Sequence, residues 1–244
     1  MARRFIVDKN DIRKIGESGF EITGSEVKHI QVLRHNIGDE ITVNNYVCKI
    51  SDIRKDKIIL EKINDAERIG EPNTNVTLYM AMLKNDKMDF VVQKAVELGV
   101  KKIVPFFSNN VIVKLDDKSK SKRIGKLQTI ANEACKQCGR TDYVIVEDFV
   151  NFKEIINLAE NHDISVFAYE KETKSLKEVM NKANINNYTN ISLVIGPEGG
   201  FDKIEAEQLS KGYNVETISL GTRILRAETA ALNLVSIIMY ELEI

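Results

Sequence analysis

The sequence is poor in cysteine, with three among its 244 residues. Cys48, Cys135 and Cys138 cannot all pair and fit no disulfide framework, which indicates a reducing compartment. Cys135 and Cys138 have the spacing of half a zinc site, but they fall inside a predicted helix and the sequence offers no second cysteine or histidine pair. We therefore expect no bound metal.

Long apolar runs are also missing. The longest, residues 191–195 and 232–239, are well short of the roughly 20 residues that span a bilayer. The first residues include two arginines but neither an apolar segment nor a small-residue cleavage site, so they do not resemble a secretory signal. These absences predict a cytoplasmic protein without a membrane helix.

The chain has no excess of one charge, because 35 basic and 36 acidic residues give a net charge of -1. This balance gives no support to nucleic-acid binding. Basic residues are nevertheless concentrated locally: residues 114–140 contain eight basic and three acidic residues, and the first fourteen contain five basic and two acidic. Such patches could hold phosphates if they fold onto one face, or they could be ordinary solvated surface.

The first 70 residues contain short β-prone runs at 5–7, 40–43, 47–53 and 57–63, separated by turn signals. They predict a small β-barrel with one short helix, which begins with a Ser25 cap and ends near His35 and Asn36. Residues 64–75 are polar and have no periodicity. We therefore predict two domains, residues 1–70 and residues 73–244.

From Val76 onward, strand and helix patterns alternate. Predicted strands cover residues 76–83, 102–107, 143–146, 164–169, 191–195 and 215–220. Predicted helices cover residues 88–98, 122–138, 153–160, 176–182 and 203–210, and a last helix follows. This order predicts an α/β domain with a mostly parallel sheet and helices on both faces. Ligands of such sheets bind at the carboxyl ends of the strands.

A glycine-rich loop follows the predicted strand at 191–195. Gly196, Gly199 and Gly200 let the backbone turn sharply and approach a ligand, and Pro197 stiffens the turn. The spacing fits neither a phosphate-binding loop nor a dinucleotide motif, so a nucleoside-sized ligand is expected. The alternative is a structural turn with Asp202 as the N-cap of the next helix.

A second junction of strand, loop and helix covers residues 218–231. Gly221 ends the strand, Arg223 and Arg226 lie in the loop or first turn, and Glu228 is near the start of an alanine-rich helix. Arginines beside an open strand end are candidates for binding phosphate or base edges, although they could also be surface residues.

Together the two junctions, Ile195-Gly-Pro-Glu-Gly-Gly-Phe and Leu220-Gly-Thr-Arg-Ile-Leu-Arg-Ala-Glu-Thr-Ala-Ala, resemble the paired signatures of the SPOUT methyltransferases. The resemblance is to the RsmE family of 16S ribosomal RNA uridine-N3 methyltransferases. Further segments resemble that family in the same order: Arg3-Arg4-Phe5, residues 29–39, residues 87–100 and residues 133–140. One segment, Phe107-Ser-Asn-Asn-Val-Ile-Val-Lys114, departs from the commonest family pattern, in which a glutamate-arginine pair often precedes serine.

The resemblance implies a PUA-like RNA-binding β-barrel followed by a SPOUT domain with a C-terminal trefoil knot. It also implies a homodimer that uses S-adenosylmethionine (SAM) to methylate N3 of a uridine in the 16S RNA of the small ribosomal subunit. The residues that would bind SAM are Ala168, Tyr169, Glu170, Ile195, Gly196, Pro197, Glu198, Gly199, Gly200, Leu220, Gly221, Ile224, Leu225 and Arg226.

Transfer to N3 requires positioning and a positive group near the uracil carbonyls. Arg226 or Arg223 is placed to supply that charge, and Glu228 either takes part in the reaction or orients a loop. Residues expected to contact RNA are Arg3, Arg4, His29, Arg34, Lys114, Arg123 and Arg140. The apolar stripe of the last helix could be core, dimer surface or both.

Two other functions stay open. A SPOUT ribose 2'-O-methyltransferase shares the glycine loop and the knot, but such enzymes usually lack the barrel and end in a different signature. An RNA-binding ribosome-assembly factor without catalytic activity is the second alternative. Binding of SAM would separate an enzyme from such a factor.

Overall fold

The computed structural model describes residues 4–68, 71–84, 86–182 and 185–242. Two compact units make up the chain. The first, here named the barrel unit, consists of Met1–Glu71 and Cys135–Tyr143. The second, named the sheet unit, consists of Pro72–Ala134 and Val144–Ile244. The predicted division into residues 1–70 and 73–244 did not include the short segment 135–143 in the first domain.

The barrel unit contains a six-stranded sheet in the order β1-β4-β5-β6-β3-β2. Its strands are β1 (Arg4–Phe5), β2 (Ile12–Ile15), β3 (Gly19–Ile22), β4 (Glu40–Val43), β5 (Tyr46–Ile53) and β6 (Ile58–Asp65). Neighbouring strands pair antiparallel except for β1 and β4, which are parallel. The four predicted strands are confirmed within a few residues, whereas β2 and β3 were not predicted.

Helix α1 (Ser25–Val32) is the one predicted, but both of its ends differ from the prediction. Ser25 is already helical, and the N-cap is Gly24, whose lack of a side chain leaves no capping bond. The predicted serine cap is therefore wrong. The helix also ends before His35, because Arg34 adopts a left-handed φ of 59° that stops a helix.

Strands from both edges of this sheet contribute to one apolar core. Buried Phe5 of β1 and Ile22 of β3 belong to the same cluster as residues of β4, β5, β6 and α1, and Ile12 of β2 packs against it. A sheet whose opposite edges share one core must curl around that core. This arrangement agrees with the predicted barrel.

The sheet unit has seven strands, with β9 paired to β8 and the others in the order β10-β8-β7-β12-β11-β13. They are β7 (Asn75–Ala81), β8 (Lys102–Phe107), β9 (Ile145–Val146), β10 (Val150–Asn151), β11 (Ile164–Ala168), β12 (Asn190–Ile195) and β13 (Val215–Ile218). Every pairing is parallel, which confirms the predicted sheet. The carboxyl ends of β11, β12 and β13 are therefore adjacent at one edge.

Six α-helices of the described residues accompany these strands. They are α2 (Asp86–Glu97), α3 (Asp117–Cys138), α4 (Phe152–Ala159), α5 (Leu176–Lys182), α6 (Lys203–Ser210) and α7 (Ala227–Leu242). Five of them connect one strand to a later one, and α7 follows β13. A short 3-10 turn covers Ile185–Asn187. Helix α3 begins five residues before its predicted start, because the Asp116 carboxylate accepts a hydrogen bond from the Ser119 N–H at 2.8 Å and caps the helix.

Both faces of this sheet are covered. Tyr79 and Ala81 of β7 pack with residues of α4 and α6 in one aromatic-rich cluster. Leu78 and Met80, which point to the opposite face, are also fully buried. Helices α2 and α7 pack against each other, and α7 contacts β12.

The return of the chain to the middle of the sheet, where β12 inserts between β7 and β11, positions the loops discussed below. The trefoil knot stays a prediction. Within the described residues, none of the helices has the length and apolar character needed to cross a membrane. Those same residues include no group of three or more His, Cys, Asp or Glu side chains suited to a metal ion.

Candidate functional site

A cavity of about 600 Å³ opens at the carboxyl ends of β11, β12 and β13. Its volume lies in the range typical of small-molecule sites. All fourteen residues predicted to bind SAM line it. Seven further residues complete the wall: Lys87, Phe201, Ser219, Thr222, Arg223, Ala227 and Ala230. The structure thus joins the two signature junctions in one concave surface.

The glycine loop forms a tight turn on one side of the cavity. The Gly200 N–H donates to the Pro197 carbonyl at 2.9 Å, and Gly200 has a left-handed φ of 66° that favours glycine. At Gly196 a Cβ atom would lie 2.7 Å from Cε2 of Phe201. The loop therefore depends on glycine for a close approach to an aromatic ring.

Phe201 anchors the end of this loop in the core. Its ring stacks on Phe106 at a centroid distance of 6.2 Å and meets Phe167 edge-on at 4.9 Å. The next residue, Asp202, is the N-cap of α6 and forms a reciprocal capping box with Glu205. The structural interpretation of this junction is thus confirmed, and the same residues also form one wall of the cavity.

Two carboxyl groups lie behind the glycine loop with opposite pKa shifts. A hydrogen bond from the Asn109 side chain, with further bonds from backbone N–H groups, lowers the pKa of Asp202. Burial raises the pKa of Glu205, whose residue is 3% exposed. Glu205 still accepts a hydrogen bond from the Asn109 N–H at 2.8 Å, so its carboxylate is not left without a donor.

Lys87 at the start of α2 bridges two acidic residues beside the cavity. Its Nζ lies 3.5 Å from a carboxylate oxygen of Glu198 and 3.6 Å from one of Glu228. Lys87 was not among the predicted site residues. A signal for it was present, because α2 follows the carboxyl end of β7, which neighbours β12 at the same edge. Glu228 does not line the cavity, and its side chain is 15% exposed beside Lys87.

Arg223 and Arg226 both line the cavity and are exposed. Between them, Ile224 is 88% exposed and Leu225 is half-buried. Among the residues that the structure describes, no carboxylate forms an ion pair with either arginine. Both guanidinium groups are therefore available to a ligand in the cavity.

The residues expected to contact RNA have different environments. Arg3 lies outside the described residues. Arg34 of the barrel unit and Lys114 of the sheet unit are exposed. Arg4 donates to the Gly139 carbonyl at 3.4 Å, and burial lowers its pKa. His29 Nδ1 lies 3.1 Å from a Glu26 oxygen.

Arg123 and Arg140 are bound to carboxylates. Arg123 Nη1 lies 2.8 Å from Asp89 Oδ1. The Arg140 side chain is 3% exposed, and its Nη2 donates to Glu71 at 2.7 Å. Glu71 also accepts hydrogen bonds from the N–H groups of Thr141 and Asp142, each at 2.8 Å. The structure thus gives Arg140 a place inside the barrel unit and not at its surface, so we do not keep it among the RNA contacts.

A parallel α/β unit with a glycine-loop cavity, following a curled β-sheet, is the architecture of a class of RNA methyltransferases. Family models agree: residues 70–239 match the RNA methyltransferase domain and residues 22–63 match the RNA methyltransferase PUA domain.

Similar proteins narrow the class to one family. Ribosomal RNA small subunit methyltransferase E of Bacillus subtilis is 34% identical over 92% of this chain and 91% of the relative. The protein of the same name from Mesomycoplasma hyopneumoniae is 32% identical over 96% of this chain and 97% of the relative. The chain belongs to the ribosomal RNA small subunit methyltransferase E family.

Two similar solved structures contain SAM. Ribosomal RNA small subunit methyltransferase E from Neisseria gonorrhoeae, bound to SAM, gives a TM-score of 0.78 at 26% identity, with 97% of this chain and 96% of that chain covered. A methyltransferase from Legionella pneumophila, in complex with SAM, gives a TM-score of 0.78 at 25% identity over 98% of each chain.

Proposed function

We propose that this protein methylates N3 of a uridine in the 16S RNA of the small ribosomal subunit, with SAM as the methyl donor. The observation that carries the proposal is the single cavity formed by the glycine loop and the arginine-bearing loop. The names of the relatives, which specify small-subunit ribosomal RNA, support the substrate. The signatures of the uridine-N3 family at both junctions support the atom that is methylated.

The residues of the cavity fit a bound SAM. Ile195, Leu220 and Leu225 provide apolar wall for an adenine ring, and the exposed Glu170 carboxylate at the end of β11 can accept hydrogen bonds from ribose hydroxyls. The glycine backbone leaves room for close approach. When bound, SAM supplies a methyl group that its sulfonium already activates, so the protein does not need a nucleophile of its own.

The arginines act on the acceptor base. Uridine N3 becomes nucleophilic as it loses its proton to solvent, and a nearby guanidinium stabilises the resulting negative charge on the ring. With SAM bound, N3 would take the methyl group as the sulfur–methyl bond breaks, which leaves S-adenosylhomocysteine. We assign this task to Arg226, with Arg223 as the second arginine of the same loop. Lys87 forms ion pairs with Glu198 of the glycine loop and with Glu228 of α7. Glu228 therefore helps to orient the glycine loop through Lys87 and does not contact the substrate.

The barrel unit and exposed basic residues would bind the RNA. Arg4, His29, Arg34 and Lys114 are the described side chains that we retain for contacts with phosphate or sugar. Arg3 stays a prediction outside the described residues, and Arg123 is set aside because its guanidinium pairs with Asp89. The N3 atom lies on the Watson-Crick edge of uracil, so the target uridine must be unpaired or extruded when it reacts.

We further infer that the protein is a homodimer that acts in the cytoplasm, where the small ribosomal subunit is assembled. Phe90 of α2 and Ile237 and Tyr240 of α7 are exposed apolar residues on two helices that pack together. Such a surface is suited to a second copy of the chain.

The test is methylation of small-subunit RNA that lacks the modification, with purified protein and labelled SAM, followed by nucleoside mass spectrometry. We expect one N3-methyluridine, which also stops reverse transcription because the methyl group blocks base pairing. A ribose-methylated nucleoside would support the 2'-O-methyltransferase alternative. Absence of both methyl transfer and SAM binding would support the assembly factor.

Substitution of Arg226 tests the mechanism. We expect Arg226→Ala to lower kcat by about 100-fold to 1,000-fold, the usual effect of losing one group that stabilises a developing negative charge. Arg226→Lys should retain part of the rate. A normal kcat in Arg226→Ala, together with a large loss in Arg223→Ala, would reassign the role to Arg223.

A further inference from the structure

The segment that departs from the family pattern lies directly against the glycine loop. The Asn110 side-chain amide donates to the carbonyls of Gly199 and Gly200 at 3.4 and 3.1 Å. The Asn109 amide donates to the Asp202 carboxylate, at the point where the glycine loop ends and α6 begins. We name Asn109 and Asn110 together the asparagine pair.

Packing reinforces these hydrogen bonds. A Cβ atom at Gly199 would lie 3.3 Å from Cβ of Asn110. On the other side, a Cβ atom at Gly200 would lie 3.0 Å from a carboxylate oxygen of Glu170. Asn110 and Glu170 therefore lie on either side of the glycine loop and leave little room for a side chain at positions 199 and 200.

Glycine-rich loops lose more conformational freedom on ordering than other segments, and this loss opposes ligand binding. Contacts that order such a loop before the ligand arrives strengthen binding, because less entropy remains to be lost. Hydrogen bonds to the carbonyls of two successive glycines fix the orientation of both peptide units.

From these contacts we infer that the asparagine pair preorganises the glycine loop for SAM, with Asn110 and Asn109 as positioning residues. The inference rests on the proposed function, since it takes SAM as the ligand of the cavity. Neither residue lines the cavity, so both act through the loop and not by contact with the cofactor.

The amide group is suited to this position for an electrostatic reason. Asp202, Glu205 and Glu170 already bring three carboxyl groups to the surroundings of the loop. A neutral amide donates to carbonyl oxygens without adding charge. A carboxylate at position 110 would have the same size but would face the two glycine carbonyls without a proton to donate.

The inference is tested by calorimetric titration of the full chain with SAM. Asn110→Asp keeps the size of the side chain and removes its donor, Asn110→Ala removes the amide, and Asn109→Ala removes the bond to Asp202 but leaves the backbone bond to Glu205. The matched control is Asn161→Ala, which changes an exposed asparagine before the start of β11, at the opposite edge of the sheet.

We expect Asn110→Ala to weaken SAM binding about fivefold to tenfold, as for the loss of one or two modest hydrogen bonds. Asn110→Asp should weaken it more, and Asn109→Ala less. The kcat at saturating SAM should change by less than about twofold, since a preorganising contact acts on binding. The Tm of the free protein should shift by no more than about 2 °C in each variant, because the asparagines are exposed.

Two results would overturn the inference. One is a wild-type protein that binds SAM and an Asn110→Asp variant that binds it equally well. The other is a loss of affinity that accompanies a similar loss in kcat and a large fall in Tm, which would indicate general destabilisation. Failure of the proposed function gives a different result, because the wild-type protein itself would then not bind SAM.

Discussion

Single atoms determine the shape of the cofactor cavity, and two of its glycines show why. A Cβ atom at Gly196 would meet the Phe201 ring at 2.7 Å, and one at Gly200 would meet Glu170 at 3.0 Å. The contact at Gly196 is under 3 Å and would force a neighbour to move. At Gly200 the exposed Glu170 side chain can give way, and the left-handed φ of 66° is what favours glycine. Phe201 cannot move freely, because its ring is 4% exposed and packed among three other phenylalanines. The residue type at position 196 is thus set by the core beneath the loop.

We predict that Gly196→Ala lowers the free energy of unfolding by about 1–3 kcal/mol, the usual effect of forcing an extra methyl group into a packed site. The matched control is Gly125→Ala in α3, where a Cβ atom would meet nothing within 4 Å. This control should raise stability by about 0.5–1 kcal/mol, because alanine favours a helix more than glycine does. Urea unfolding of both variants measures the difference. Equal effects of the two substitutions would contradict the steric argument at Gly196.

The family resemblance was sufficient to predict fourteen of the residues that line the cavity, because its signature junctions could be located by position in the sequence. It was not sufficient for partners that are distant in sequence. Arg140 was expected to contact RNA because it lies in a basic segment, yet its partner Glu71 is 69 residues away in the chain. Lys87 was missed because its two carboxylates, one on the glycine loop and one in the first turn of α7, lie more than 100 residues further along the chain. Burial and pairing of this kind depend on tertiary contacts.

At the scale of secondary-structure elements, the end of α3 is held inside the barrel unit by a buried ion pair. The side chains of Arg140 and Glu71 are 3% and 1% exposed, respectively. Lys136, one turn earlier, pairs with Glu26 of α1 at 2.6 Å. The segment 135–143 therefore belongs to the barrel unit although the rest of α3 belongs to the sheet unit.

We predict that Arg140→Met destabilises the protein by about 3–5 kcal/mol, because it leaves a buried carboxylate without its cation. The control is Arg54→Met, which removes the partner of Asp52 from a surface ion pair. The Arg54 side chain is 59% exposed and the Asp52 side chain is 38% exposed. The control substitution should lower the free energy of unfolding by less than about 1 kcal/mol. Denaturant unfolding gives both values. If Arg140 served RNA binding alone, the two variants would be equally stable and only RNA affinity would fall.

A second prediction for a secondary-structure element concerns Glu205, which forms part of the capping box of α6. Burial holds the pKa of Glu205 above its ordinary value of 4.5. A carboxyl group with a raised native pKa contributes stability that is present below its unfolded pKa and is lost as the pH rises through the native value. Glu205→Gln does not titrate and keeps an oxygen that can accept the Asn109 N–H. Relative to wild type, this variant should therefore gain stability as the pH rises.

Urea unfolding from about pH 4 to about pH 8 measures this gain. The control, Glu207→Gln on the same helix, changes a carboxylate that is 56% exposed and should give a difference from wild type with little pH dependence. A stability difference for Glu205→Gln that does not vary with pH would contradict the assignment of the shift to burial.

The bounds of two helices were predicted closely, whereas three short strands were missed. The predicted bounds of α5 and α6 agree with the structure residue for residue. Strands β2, β3 and β10 were missed because each has at most four residues and most of their side chains are only partly buried or exposed. Such strands are stabilised by pairing with a neighbour, and a local pattern of hydrophobicity does not reveal that pairing.

At the scale of the whole molecule, the last helix has both a buried and an exposed apolar surface. Leu234, Val235, Ile238 and Met239 of α7 are buried in the chain itself. The apolar stripe predicted from the sequence is thus mainly core. Ile237 and Tyr240 remain exposed on the other side of the helix. These two residues, three positions apart, lie on one face.

We predict that the proposed homodimer uses this exposed face of α7. Ile237→Glu should shift the protein toward monomer in sedimentation equilibrium, because a charge buried in an apolar interface without a partner opposes association. The control is Val32→Glu in α1, which introduces the same charge at an apolar residue that is 76% exposed and should leave the dimer intact. A dimer that persists in Ile237→Glu would place the interface elsewhere. A wild-type protein that sediments as a monomer at every concentration would remove the dimer from the proposal, without affecting the argument for the cavity.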